Sequence, residues 1–145
     1  MISESARSTT AAESRFRVQA PNAAARCILV IGLDPACLRL IGDLQGEGWH
    51  GLRFVDASRW RPALEEQAAD VVIIVSSAAQ SAEAAREIGT HALERAIKVS
   101  AVLLRDGADA DAVSRSLQQL RPWAQTLMLL EDEADLRSVL HALGG

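Results

Sequence analysis

The sequence predicts an α/β domain: a three-layer, doubly wound sheet of about five parallel strands in the order 2-1-3-4-5, of the Rossmann or flavodoxin-like kind. Two observations predict it. Five short apolar runs alternate with five segments that repeat at helical period. Most of the runs are apolar at consecutive positions, as in parallel strands covered by helices on both faces. Five such alternations imply right-handed crossovers, with a crevice where the strand order reverses, above the carboxyl ends of strands one and three.

The elements follow in order. Cys27-Ile-Leu-Val-Ile-Gly32 is the first strand, and Cys37, Ile41 and Leu44 share one face of the helix after it. Leu52-Arg-Phe-Val-Asp56 is a shorter, partly alternating second strand. The helix from Ser58 to Gln67 has the weakest pattern, with Pro62 tolerated in its first turn. Asp70 to Ser77 is the strongest strand, holding five aliphatic residues in a row. Ala85, Ile88 and Ala92 mark the third helix, and Val99 to Leu104 the fourth strand. Val113, Leu117, Leu120 and Ala124 mark the fourth helix, with Asp109 or Asp111 as its N-cap. Thr126 to Leu130 is the fifth strand. Leu136, Val139, Leu140 and Leu143 mark the last helix, which has Asp132 as N-cap and stops at Gly144-Gly145. Residues 1–26, rich in Ala, Ser and Arg, lack the apolar stretch of a secretory signal, and Glu4 and Glu13 speak against a transit peptide. They read as a flexible tail, which leaves 27–145 as a single α/β domain with a cytoplasmic location by default.

Composition narrows the function classes. The 145 residues are 49% hydrophobic and 23% charged, with a net charge of −4, a globular balance. No apolar run approaches the ~20 residues that span a bilayer, so no membrane role is expected. An acidic surplus with three Trp, two Phe and no Tyr offers neither the basic face nor the stacking platform of a nucleic-acid binder. Cys27 and Cys37, ten positions apart, match no zinc or redox spacing and read as two small buried thiols.

Ligand chemistry in such a fold sits at the crevice, where the candidates are Gly32, Asp34, Ser76, Ser77 and Ser81. A dinucleotide cradle needs glycines after strand one so that bare backbone can approach the pyrophosphate. Here Asp34 stands at the second glycine position and repels phosphate, Pro35 removes an N–H, and no G-K-[ST] loop occurs. GTP is therefore not expected, and no cofactor is assigned. The three serines suit an anion at the mouth of helix three, or simply cap it. Asp34, Asp106, Glu131 and Asp132 could converge on magnesium, or serve as cap and turn residues facing water; no metal is assigned. His50, His91 and His141 lack partners at catalytic spacing, and His91 and His141 read as helix-surface residues. Trp49, Trp60 and Trp123 are candidate interface anchors, or else core packing.

Several stretches resemble the FtsZ/tubulin superfamily. Val30-Ile-Gly32 is similar to its first strand and turn, and Gly48-Trp-His-Gly-Leu-Arg-Phe-Val-Asp-Ala-Ser58 to its E-G-L-x-G-V-x-F-x-x-x-N stretch. Asp70-Val-Val-Ile-Ile-Val resembles the strand before the signature loop, and Leu120-Arg-Pro-Trp-Ala-Gln-Thr-Leu-Met-Leu-Leu130 a later L-R-x-x-V-D-T-L-I-V-I stretch. The family's G-G-G-T-G-T-G loop is replaced by Ser77-Ala-Ala-Gln-Ser-Ala-Glu-Ala-Ala85. The resemblance thus implies a degenerate member without GTPase activity, and none of the family's catalytic residues carries over. Receiver domains of response regulators share the strand order. Against them the phosphorylatable Asp would fall at Val75 or Ser76 and the Lys near Glu131, so the chain could only be a pseudo-receiver. The leading expectation is a non-catalytic module acting through protein–protein interaction, by self-association or as an accessory in a complex. The alternatives are a small-molecule or anion binder or enzyme using the crevice, and a pseudo-receiver signalling domain.

Overall fold

The structure, a computed structural model, describes residues 27–66, 69–78 and 82–144. The expected tail at 1–26, the end of the expected second helix at Gln67, and Ser81 lie outside the described residues.

Five strands, β1 (Ile28–Gly32), β2 (Leu52–Asp56), β3 (Val71–Ser77), β4 (Lys98–Leu104) and β5 (Thr126–Leu130), alternate with five helices. These are α1 (Pro35–Gln45), α2 (Trp60–Glu66), α3 (Ala84–Glu94), α4 (Ala110–Leu120) and α5 (Glu133–Gly144), with a 3₁₀ turn at Arg121–Trp123 after α4. The sheet is wholly parallel in the order β2-β1-β3-β4-β5. The expected architecture is the observed one.

The sheet splits the core in two because successive side chains of a strand point to opposite faces. Leu29, Ile31, Val72, Ile74, Ala101 and Leu103 face the layer formed by α2, α3 and α4, where Leu64, Ile88 and Leu120 pack on them. Ile28, Val30, Ile73, Val75, Val102 and Leu104 face α1 and α5, through Ile41, Leu44, Leu136 and Leu140. Residues buried on both sides explain why β1 and β3 read as unbroken aliphatic runs.

Caps set the helix starts. Asp34 and Asp109 accept from the N–H groups of Cys37 and Ala112, and Asp132 accepts from Asp135 N–H. Four details depart from the sequence expectation. Ala124 does not continue α4: Pro122 sits in the 3₁₀ turn, and Ala124 is extended at φ −122°. Cys27 is only half-buried, because it precedes the first sheet residue. Leu143, at the end of α5, is exposed. The His91 side chain is not a surface group; it is 14% exposed and packs edge-on against the Trp60 ring at 5.4 Å.

Candidate functional site

The switch-point crevice is built from the carboxyl ends of β1 and β3, and its chemistry is local. Gly32 is the last residue of β1 and pairs with Asp56 on one side and Val75 on the other. A Cβ there would stand 2.6 Å from Ile41 Cδ1 and 3.3 Å from the Cys37 carbonyl carbon. The missing side chain therefore lets α1 lie close on the strand end, and it is already used by packing rather than left open to a ligand.

Asp34 sits two residues on, extended at φ −132° and ψ 166°, with Pro35 opening the helix. Its carboxylate is only 4% exposed. Oδ1 accepts from Cys37 N–H at 3.0 Å and Oδ2 accepts from Ser77 N–H at 2.7 Å. The Ser77 hydroxyl adds a contact to Oδ1 at 3.3 Å, and the Cys37 thiol one to Oδ2 at 3.5 Å. The thiol and the hydroxyl lie 3.5 Å apart. One carboxylate thus ties the α1 N-terminus to the end of β3, forty-three residues away in sequence. The Cys37 and Ser77 amide groups, which in an anion-binding crevice would face the ligand, are held by Asp34. Burial pushes the Cys37 thiol up to about 12; the Asp34 and Asp106 charges add to the rise and the Ser77 hydroxyl opposes it. The thiol stays protonated, which removes it as a nucleophile.

Of the crevice residues read from the sequence, the fold brings together Gly32, Asp34 and Ser77. Ser76 is fully buried, and its Oγ has no hydrogen-bond partner among the described residues. As the neighbour of Ser77 on a strand, its side chain projects to the opposite face of the sheet. Sequence reasoning missed Cys37 as a member of the cluster. The available signal was its position three residues after an N-cap aspartate, where the helix N–H returns to the cap side chain.

The acidic residues weighed for magnesium take separate roles. Asp34 is committed as described. Asp106 lies in a tight turn at φ 45°, its N–H bonded to the Glu131 carbonyl. Glu131 pairs with Arg105 at 3.8 Å, and Asp132 caps α5. No group of three potential ligands occurs among the described residues.

The three tryptophans differ. Trp60 is 5% exposed and belongs to the core, so it presents no surface to a partner. Trp49 is half-buried: its Nε1 donates to the Leu44 carbonyl at 2.6 Å and its ring stacks on His141 at 4.3 Å. Trp123 is half-buried beside Gly89, and with Leu93, Ile97 and Ala124 it lines a shallow groove of about 240 Å³. Leu93, at its rim, is 74% exposed. No helix among the described residues is long and apolar enough to cross a membrane. Comparison with protein-family models, with curated proteins and with solved structures finds no match for this chain.

Proposed function

We propose that this chain is a non-catalytic α/β module that acts in the cytoplasm by binding protein, either a second copy of itself or a partner it assists. On this reading it derives from an FtsZ-like nucleotide-binding fold that has lost GTP turnover. The observation that carries the proposal is Asp34. At the place where this architecture holds phosphate, a buried carboxylate occupies the Ser77 and Cys37 N–H groups, so an incoming anion would meet negative charge instead of free donors. The protonated Cys37 thiol beside it supplies no nucleophile. What remains for function is surface, and the half-exposed Trp123 and the exposed Leu93 and Leu129 are side chains that partners cover.

The test pairs two measurements on the full chain. With magnesium and GTP, phosphate release is expected to match a protein-free blank, and neither GTP nor inorganic phosphate is expected to raise the melting temperature. Light scattering across a wide concentration range, with and without host lysate, is expected to show a dimer or a discrete complex. GTP turnover above the blank by a protein that stays monomeric and captures nothing overturns the proposal.

A further inference from the structure

We infer that the outer edge of β5 is a self-pairing surface, on which a second copy of this chain adds its own β5 in antiparallel orientation. The inference rests on the protein-binding reading above and names both the surface and the partner.

The two edges of the sheet are finished differently. β2 carries Arg53, exposed, and Asp56 within its five residues. The Phe54 carbonyl on that strand is capped by the Gln45 side chain at 2.9 Å. Charged side chains and a capped carbonyl are devices that stop a further strand from adding. β5 has none of them. It reads Thr126-Leu-Met-Leu-Leu130, without charge, proline or glycine, and among the described residues it pairs only with β4. No described strand lies beyond it, so within the described residues its other edge presents unpaired backbone N–H and C=O groups. Its side chains are also less covered than those of the inner strands: no residue of β5 is fully buried, and Leu129 is 43% exposed.

Charge selects the occupant and its direction. Exposed Lys98, at the start of neighbouring β4, and exposed Arg121 lie toward the amino end of β5. Glu131, Asp132, Glu133 and Asp135 follow its carboxyl end and outnumber the two arginines, Arg105 and Arg137, paired with them there. Antiparallel pairing of two copies sets the basic end of each against the acidic end of the other, whereas parallel pairing sets like against like. A register with Met128 on the two-fold axis places Leu127 of one copy opposite Leu129 of the other, so the strand is apolar and self-complementary. This isologous contact uses β5 twice and closes; because the β2 edges are blocked, it stops at a dimer instead of growing a fibre. A pairing only five residues long buries less than a standard interface, so the dimer forms reversibly with concentration.

The experiment is sedimentation of the full chain, as wild type, as Leu129→Lys, as Leu129→Glu, and as an equimolar mixture of the two variants. Leu129 is exposed enough for either substitution to fold, which circular dichroism checks. Wild type is expected to dimerise, each variant alone to weaken dimerisation by roughly tenfold or more because a charge replaces the apolar Leu127–Leu129 contact and like charges face each other diagonally across the axis, and the mixture to recover it. Hydrogen exchange of the 126–130 amides is expected to slow as wild-type concentration rises. Wild-type dimers that persist undiminished in both variants overturn the β5 edge and leave self-association standing. A wild type that is monomeric at every concentration overturns the inference outright, while capture of a partner from lysate would still uphold the broader reading.

Discussion

Asp34 is a charged side chain that behaves as a core residue. A carboxylate that is 4% exposed costs free energy unless it is bonded, and here two N–H groups and a hydroxyl supply the bonds. Asp34→Ala removes the α1 cap and leaves the buried Cys37 N–H and the half-buried Ser77 N–H without their acceptor. We expect a loss of about 2–4 kcal/mol in urea unfolding, from a cap near 1 and buried donors at 1–3. Asp34→Asn, whose amide oxygen can still accept, should lose less. Equal losses for the two would mean that the charge itself, and not acceptance of the N–H groups, holds the turn. Cys37 gives a second prediction. Its thiol is raised from 9.0 to about 12 in the folded state, first by burial. The unfolded chain therefore releases this proton before the folded chain does, so the stabilisation is complete below pH 9 and is lost as pH climbs from 9 toward 12. Stability plotted over that window should fall less steeply for Cys37→Ala than for wild type. At pH 8 a thiol reagent should modify Cys27 and spare Cys37 until the protein unfolds.

At the scale of elements, the contact between α3 and the 3₁₀ turn shows how a helix can carry a glycine for a neighbour's sake. Gly89 lies in the middle of α3, where alanine would normally be favoured by about 1 kcal/mol. An added Cβ would stand 2.6 Å from Trp123 Cβ, an atom close to the backbone that cannot swing aside. Gly89→Ala should therefore destabilise the protein by about 1–3 kcal/mol, against the propensity gain, in thermal unfolding. A stabilised variant would show that the turn slides freely over α3. The same region marks how far the sequence was legible. Strand limits at Leu52–Asp56 and Thr126–Leu130 agree with the structure to the residue although both are edge strands with exposed positions, while β1 and β3, covered on both faces, write themselves as runs of apolar residues. Asp34 was legible as a cap and as the residue that spoils a phosphate cradle. Its second bond, to Ser77, was not, since only the crossover between β1 and β3 brings residues 34 and 77 together. The burial of Trp60 and His91 was hidden for a similar reason: α2 is seven residues long, and its place against α3 depends on packing that no local pattern records.

At the scale of the whole molecule, the sheet is covered unequally. Three helices press on one face, while the other has α1 over one half and α5 over the rest. Two kinds of contact secure α5. Leu136 and Leu140, both fully buried, pack on Val102 and Leu104. At the surface, Arg137 bridges Glu47 at the end of α1 and Glu133, and His141 stacks on Trp49. Magnitudes decide which of these holds the helix. Emptying a buried leucine costs about 2–5 kcal/mol through lost transfer and the cavity left behind, whereas an exposed ion pair contributes about 0–1 kcal/mol and is screened by salt. Leu140→Ala should therefore lower stability several times more than Arg137→Ala, and only the Arg137→Ala loss should shrink as salt is added. Met128 and Leu130 on β5 pack beside α5 in the same cluster, so a loosened α5 also bares apolar surface next to the β5 edge of the sheet. For Leu140→Ala we expect aggregation well below the unfolding midpoint, seen by light scattering during a thermal ramp. Soluble Leu140→Ala protein up to its midpoint would show that α5 does not shield that edge, even if the loss in stability is as large as its burial requires.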